Sequence, residues 1–213
     1  MKPLILIGGG GHCKSVIEAA ESAGMKILGI LDRPEEMGKE VLSYRVIGND
    51  DDIPTYVGKA CFVITVGFIK TPALRIRLYN KVREAGGQLT TVIASTAYVS
   101  KHATIGEGTV VMHHAFVNAG ACIGNNVILN TFCNIEHDAV VGDQCHISTG
   151  TMVNGDCKVG ERVFIGSQSV LANGITVGDD IIVGAGSLVR KSIAEKGIYS
   201  GNPAILKIKT KQL

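Results

Sequence analysis

The sequence lacks the features that mark several common classes of protein. Its 213 residues carry a formal net charge of only +2, and no long basic run precedes the tail lysines Lys207, Lys209 and Lys211. This balance argues against a nucleic-acid partner, which requires a concentrated basic surface. The apolar run at residues 4–7 is too short for a signal peptide or a membrane span. These absences predict a soluble protein with no membrane span.

The six cysteines include no CxxC pair of the kind found in redox and zinc sites. Cys133, Cys145 and Cys157 instead recur twelve residues apart, at a repeat position that is mostly small. We interpret them as reduced, buried residues of a cytoplasmic protein rather than disulfides or metal ligands. With 46% hydrophobic residues, the chain can bury a sizeable core in one or two domains.

The C-terminal half repeats with a period of six. The repeating positions are all aliphatic: Val99, Ile105, Val111, Val117, Ile123, Leu129, Ile135, Val141, Ile147, Val153, Val159, Ile165, Leu171, Val177, Val183 and Val189. A helix repeats near 3.6 residues and a strand near two, so this period predicts a β-helix. Glycine follows seven of these residues, which suits sharp corners. The pattern resembles the hexapeptide-repeat, left-handed parallel β-helix family, in which three hexads close one 18-residue coil.

The first 94 residues show no such repeat. Residues 4–7 and 27–31 read as strands on either side of a helix at residues 14–23, which makes a βαβ unit. A further strand at residues 61–66 and a helix at residues 72–85 complete a small α/β, Rossmann-like domain. We therefore expect an α/β domain at 1–94, a left-handed β-helix at 95–192 and a C-terminal cap or tail at 193–213.

The turn from Gly8 to Gly11 lies between a strand and a helix, which resembles a dinucleotide fingerprint. The third fingerprint glycine would fall at Cys13, so bound NAD is not expected. Backbone amides at a helix N-terminus still favour a phosphate or diphosphate there, and His12 could donate to the same ligand. Asp32 could accept from a ribose hydroxyl or a base edge. The alternatives are a helix-capping role for His12 and a turn-capping role for Asp32.

An ionisable cluster in the β-helix is the candidate for chemistry. His137 has the small residues Ala119 and Gly155 one coil before and after it, which leaves room beside its imidazole for a ligand. Neutral imidazole can remove a proton from an amine near pH 7, and Glu136 could raise its basicity. A backbone N–H near Gly155 is the candidate donor to an oxyanion.

His146 follows His137 by nine residues, half a coil, and should point from another side of the prism. Asn130 precedes His146 by sixteen residues, so these two side chains should lie close together. One prism cannot easily bring His137 and His146 to one small ligand. We therefore expect a homotrimer in which the His137 face of one subunit meets the Asn130 and His146 face of the next.

Residues 127–138, 145–150 and 201–204 resemble the bacterial nucleotide-sugar N-acetyltransferases of the bacillosamine and perosamine type, and the related sialic acid O-acetyltransferases. The resemblance implies acetyl-CoA-dependent transfer to a sugar amine or hydroxyl in bacterial surface glycan biosynthesis. It also implies a homotrimer with active sites at subunit interfaces and no metal. The amine of a nucleotide-linked 4-amino-4,6-dideoxy sugar is the favoured acceptor, by direct attack on the thioester.

The resemblance implies roles for individual residues. His137 matches the general base, Glu136 the carboxylate beside it, and Asn130 and His146 substrate-site residues. The nucleotide-sugar pocket is matched by Gly8, Gly11, His12, Asp32 and Gly67, and the pantetheine groove by backbone groups at Gly155, Ser167 and Ala185. Arg33 stands where some relatives carry a second acid, which leaves the nucleobase open.

Two alternatives remain open, and a third is disfavoured. Within the family, sialic acid could be the acceptor. A β-helical zinc enzyme would need a His-x4-His pair, and the histidines at 102, 113, 114, 137 and 146 include none five apart. The chain could also be a non-catalytic assembly protein that binds a nucleotide-sugar without releasing CoA, with Glu136 and His137 as a solvated pair.

Overall fold

The computed structural model describes residues 2–209, so Lys211 of the predicted tail lies outside the described residues. The N-terminal part contains strands β1 (Leu4–Ile7), β2 (Ile27–Leu31), β3 (Glu40–Val41), β4 (Tyr44–Gly48), β5 (Cys61–Ile64) and β6 (Gln88–Leu89). Its helices are α1 (Gly11–Ser22), α2 (Ile53–Tyr56) and α3 (Ala73–Glu84), with 3-10 turns at Pro34–Glu36 and Asp50–Asp52.

These strands form one sheet in the order β3-β4-β2-β1-β5-β6, parallel except for the β3–β4 pair. The predicted strands at residues 4–7 and 27–31 are present with those bounds. The strand predicted at residues 61–66 ends at Ile64, because the chain then turns and the Thr65 hydroxyl donates to the Gly8 carbonyl at 2.5 Å. The helix expected from residue 14 begins at Gly11, immediately after the glycine turn.

The C-terminal part is a β-helix of short strands. They are β7 (Val92–Ile93), β8 (Tyr98–Val99), β9 (Thr104–Ile105), β10 (Val110–Val111), β11 (Phe116–Val117), β12 (Cys122–Ile123), β13 (Ile128–Leu129), β14 (Asn134–Ile135), β15 (Val140–Val141), β16 (His146–Ile147), β17 (Met152–Val153), β18 (Lys158–Val159), β19 (Phe164–Ile165), β20 (Val170–Leu171), β21 (Thr176–Val177), β22 (Ile181–Val183), β23 (Leu188–Val189), β24 (Gly197–Ser200) and β25 (Ile205–Lys209).

The six-residue repeat predicts this part correctly. Each repeating aliphatic residue ends or nearly ends a strand and points into the prism; all are buried except Val99 and Ile105 in the first coil, which are partly buried. Strands one coil apart pair in parallel at a spacing of 18 residues, as in Ile135 opposite Val153. Three parallel faces result. We call them the first face (β7, β10, β13, β16, β19, β22), the second face (β8, β11, β14, β17, β20, β23) and the third face (β9, β12, β15, β18, β21).

The reason for the corner glycines differs from the one expected. A Cβ on Gly142 would lie 2.7 Å from the carbonyl carbon of Gly160, so glycine is needed there because the next coil approaches closely. The left-handed backbone falls at other corner positions, such as Asp138 with φ of 61°. The glycines therefore allow close stacking of coils, and the sharp turns lie elsewhere in the hexads.

The two parts pack against each other through apolar residues. Helix α1 lies on the outside of the first face, where Val16 and Ile17 join a core with Val110, Met112 and Ile128. Strands β24 and β25 extend the first face beyond β22, and β25 is antiparallel to β24. Among residues 2–209, no helix is long and apolar enough to cross a membrane.

Candidate functional site

A cleft of about 950 Å³ opens at the carboxyl ends of β1, β2 and β5 and reaches the first face of the β-helix. Ligands of open α/β sheets bind at this edge. All eight residues predicted to bind the substrate line the cleft: Gly8, Gly11, His12, Asp32, Arg33, Gly67, Asn130 and His146. Residues from both domains therefore form one site within a single chain.

The glycine turn forms one wall of the cleft. Gly8 has φ of 106°, a backbone conformation that residues with a Cβ rarely adopt. Helix α1 begins after Gly10 with no side-chain cap and no acidic residue in its first turn. The free amides and the positive end of the helix dipole suit an anionic group such as a diphosphate.

Asp32 supports the turn and also faces the cleft. Its carboxylate accepts the Gly9 N–H at 2.7 Å and the Arg33 N–H at 2.8 Å. The turn-capping role considered for Asp32 is therefore present. The Arg33 guanidinium forms exposed ion pairs with Glu35 and Glu36, each at 3.3 Å, which neutralise part of its charge.

His146 connects the two domains at the floor of the cleft. Its Nδ1 lies 2.8 Å from the Phe68 carbonyl oxygen, and its Nε2 lies 3.2 Å from the Asn130 side-chain nitrogen. A carbonyl can only accept, so Nδ1 carries the proton and Nε2 accepts from Asn130. The Asn130 oxygen accepts the Thr131 N–H at 2.8 Å, which fixes the amide in the required orientation. The predicted proximity of Asn130 and His146 is present.

Burial keeps both cleft histidines neutral. It lowers the pKa of His146 to about 4, against the opposing effect of the Phe68 hydrogen bond. Burial, with smaller effects of Arg75 and His146, lowers the pKa of His12 to about 3. His12 lies inside α1 and does not cap it, since its Nε2 is buried without a hydrogen-bond partner. These rings can offer hydrogen bonds to a ligand but not positive charge near pH 7.

His137 lies apart from the cleft, at the corner between the second and third faces. Its imidazole is exposed, and Nδ1 lies 2.9 Å from an Asp138 carboxylate oxygen. This hydrogen bond is the main cause that raises the pKa of His137. A Cβ on Gly155 would lie 2.6 Å from His137 Nε2, so the absent side chain of Gly155 leaves the space that the ring occupies.

Glu136 is held by two asparagine side chains. Its carboxylate accepts from the side-chain amides of Asn118 at 2.7 Å and Asn134 at 2.9 Å, and these bonds lower its pKa. The direct hydrogen bond to the His137 ring comes from Asp138, since both Glu136 carboxylate oxygens bind the two asparagines. Glu136 contributes only its more distant charge to the pKa of His137.

The three residues expected to line a pantetheine groove do not share one corner. Gly155 lies beside His137, and its N–H makes no hydrogen bond within residues 2–209. Ser167 and Ala185 lie 18 residues apart in one column at the corner between the first and second faces. The Ser167 hydroxyl exchanges a hydrogen bond with Ser148 at 2.8 Å.

Several residues of the site were missed from sequence. Asp138 adjoins His137 and could have been considered as its partner. Phe68 contributes a backbone oxygen, which no side-chain pattern indicates. Arg75 is fully buried in α3 and close enough to affect both cleft histidines, although nothing in a helical pattern marks it. In the part of the chain that the structure describes, no group of three His, Cys, Asp or Glu side chains could hold a metal ion.

Each of the two domains matches a known family model. Residues 3–82 match the family model described as the PglD N-terminal domain, and residues 156–191 match the model described as bacterial transferase hexapeptide (six repeats). None of the curated proteins matches the sequence.

Solved structures resemble the whole chain. A histidine-to-asparagine mutant of perosamine N-acetyltransferase from Caulobacter crescentus, in complex with CoA and GDP-perosamine, is 32% identical with a TM-score of 0.91, over 97% of both chains. The acetyltransferase domain of PglB from Neisseria gonorrhoeae FA1090, in complex with acetyl coenzyme A, is 29% identical with a TM-score of 0.90, over 97% of this chain and 99% of that one. The chain therefore belongs to the hexapeptide-repeat sugar N-acetyltransferase family that includes perosamine N-acetyltransferase.

Proposed function

We propose that the chain transfers the acetyl group of acetyl-CoA to the 4-amino group of a nucleotide-linked 4-amino-4,6-dideoxy sugar. The observation that carries this proposal is the exposed imidazole of His137, bonded to Asp138 and placed over Gly155. Whole-chain similarity to perosamine N-acetyltransferase, whose complexes hold CoA and GDP-perosamine, supports the substrate class. GDP is one candidate nucleotide among several, because Arg33 leaves the base open.

The cleft would bind the nucleotide-sugar. Its diphosphate would lie against the amides at the start of α1, where no side chain competes for them. Asp32 would meet the ribose or base, while His12, Asn130 and His146 would offer neutral hydrogen-bonding groups. Because both histidines stay unprotonated, the strength of these contacts should change little with pH near neutrality.

His137 would act as the general base. Its Nε2 takes one proton from the neutral sugar amine as the nitrogen attacks, while Asp138 stabilises the imidazolium through Nδ1. The nitrogen then bonds to the thioester carbon, whose oxygen accepts a hydrogen bond from the Gly155 N–H. The carbon–sulfur bond breaks, and the departing thiolate takes the proton from His137. No covalent acyl-enzyme is needed.

We also propose that three copies of the chain assemble around these sites. His137 and Gly155 lie at one edge of the second face, and Ser167 and Ala185 lie at its other edge. The outside of this face carries Tyr98, Phe116 and Met152, which are 55%, 37% and 38% exposed. An apolar surface of this kind favours self-association. A cyclic trimer would bring the edge with Ser167 and Ala185 in one subunit close to the edge with His137 and Gly155 in its neighbour.

The trimer is tested by mixing inactive chains. Hetero-trimers that combine His137→Ala chains with His146→Ala chains should recover part of the activity. Some interfaces then contain an intact His137 from one chain and an intact His146 from the other. Mixed trimers confirmed by native mass spectrometry that show no recovery would contradict shared sites. A monomeric protein with full activity would contradict the assembly itself.

The reaction is tested by the release of free CoA thiol from acetyl-CoA. Acceptors are UDP-, GDP- and dTDP-linked 4-amino-4,6-dideoxy sugars, with sialic acid in parallel. Wild-type protein should release thiol with one nucleotide-sugar, His137→Ala protein should not, and the control His102→Ala should match wild type. Release with sialic acid alone would indicate O-acetylation. Nucleotide-sugar binding without release from any acceptor would favour the non-catalytic assembly protein.

A further inference from the structure

Arg75 is almost completely buried and contacts both domains. It lies in the first turn of α3 and is 1% exposed. Its Nη1 donates to the carbonyl oxygens of Ile64 at 2.6 Å and Val66 at 3.0 Å, at the end of β5. Its Nε donates to the carbonyl oxygen of Asn126 in the β-helix at 3.2 Å. One guanidinium therefore fixes the end of β5 against the β-helix.

The charge of this guanidinium is not neutralised by the protein. No carboxylate among residues 2–209 forms an ion pair with Arg75, and its Nη2 is buried without a hydrogen-bond partner. Burial lowers the pKa of Arg75 to about 9, so the side chain remains protonated near neutrality. An uncompensated buried charge is costly, and an anionic group bound nearby would offset part of that cost.

The carbonyls held by Arg75 lead directly to the cleft wall. Val66, Gly67 and Phe68 line the cleft, and the Phe68 carbonyl accepts the proton on His146 Nδ1. Arg75 and His146 thus hold two ends of one short backbone segment, Arg75 at the Val66 carbonyl and His146 at the Phe68 carbonyl. The buried nitrogen of His12 is also unpartnered, and the Arg75 charge acts on the rings of both histidines.

We propose that Arg75 is a positioning residue for the nucleotide-sugar, which fixes the Val66–Phe68 wall and the His146 tautomer and places a buried positive charge near the diphosphate. The substrate named here rests on the function proposed above. Arg75 does not line the cleft, so its effect passes through the wall, the histidines and its electric field.

Binding of free nucleoside diphosphates tests the role without requiring turnover. Calorimetry with GDP, UDP and dTDP should show at least roughly tenfold weaker binding for Arg75→Met, since a hydrogen-bonded charge is removed. Arg75→Lys keeps the charge but lacks the planar fork, and should lose less, about threefold to fivefold. The matched control is Arg77→Met, at an exposed residue of the same helix, which should bind within about twofold of wild type.

Kinetic constants separate positioning from simple support of the fold. In Arg75→Met the KM for the nucleotide-sugar should rise by about tenfold, while the KM for acetyl-CoA stays within about twofold. Equal increases in both constants would overturn the proposal. If Arg75→Met does not fold, Arg75→Lys decides: a folded Arg75→Lys protein with wild-type diphosphate affinity would also overturn it.

Histidine nitrogen NMR provides a readout that is independent of any substrate. His146 should show a protonated Nδ1 and an unprotonated Nε2 in wild type. The His146 signals are identified as those that are missing from the spectrum of His146→Asn. In Arg75→Met or Arg75→Lys the two tautomers should mix, because the Phe68 carbonyl is no longer held. An unchanged tautomer in both variants would overturn the positioning role. If wild type binds none of the three diphosphates, the proposed substrate fails, and this measurement still tests Arg75.

Discussion

The cleft holds its histidines in a buried environment, whereas the β-helix corner between the second and third faces exposes its histidine to solvent. His12 and His146 lie in the cleft, where burial lowers the pKa of each ring. His137 stands exposed at the corner, where Asp138 raises the pKa of its ring. Buried rings stay neutral and serve as fixed hydrogen-bonding groups, whereas an exposed ring with a carboxylate partner can accept and release a proton near pH 7.

The two regions also differ in how they are assembled. The cleft brings together glycine turns, strand ends and β-helix side chains from segments more than a hundred residues apart. The corner uses three consecutive residues and Gly155, one coil away. A change at the corner should therefore affect the chemical step, and a change in the cleft should affect substrate binding and acid stability.

Replacing His137 with Ala should have the largest effect. We expect kcat to fall by roughly 10²–10⁴-fold, because a general base is lost. The exposed position should leave the melting temperature and the oligomeric state unchanged. Thiol release and thermal unfolding measure the two effects. Activity within a few-fold of wild type would contradict the general-base role.

Replacing Gly155 with Ala should displace His137. The new Cβ would lie 2.6 Å from Nε2, so the exposed ring must move. We expect a loss of about 10–10²-fold in kcat, as for a misplaced catalytic group. Ala119→Gly serves as the control, since it changes the other neighbour of His137 without adding atoms. Wild-type kcat in Gly155→Ala would mean that the ring position does not matter.

The cleft histidines should make the fold sensitive to acid. Their pKa values are lowered in the folded state to about 4 and about 3 from 6.5, so the unfolded chain binds more protons below about pH 6.5. Stability should fall as pH drops, by about 2 kcal/mol for each histidine between pH 6.5 and pH 5. Urea unfolding measures this loss. His146→Asn should show a smaller loss, and an identical pH dependence would contradict the burial argument.

Replacing Asp138 with Asn should have the smallest effect. Removing the carboxylate removes the main cause of the raised pKa of His137. That pKa should fall, so the acid limb of the pH profile of kcat/KM should move to lower pH. Glu136→Gln is the comparison, because the Glu136 carboxylate is bonded to Asn118 and Asn134. If the acid limb moved further in Glu136→Gln than in Asp138→Asn, Glu136 and not Asp138 would be the carboxylate that mainly raises the pKa of His137.

The β-helix could be predicted from sequence because its repeat is local. Each coil repeats every 18 residues, so the position of Ile135 relative to Val153 follows from counting. The same counting places Gly155 beside His137 and Asn130 close to His146. It cannot give the hydrogen-bond partner of an exposed side chain at a corner, so the bond between His137 and Asp138 emerged only from the structure.

Hydrophobic periodicity and glycine turns act over short stretches of chain, so the sequence alone predicted the two folds, the coil register and, with the family resemblance, eight residues that line the cleft. The tertiary structure decided which residues hold these parts together. His12, His146 and Arg75 are buried where the N-terminal part meets the β-helix, as the contacts of Arg75 with Asn126 and of His146 with Phe68 show, and this burial sets their charge states. Such burial depends on surfaces far apart in the chain, so no local pattern encodes it.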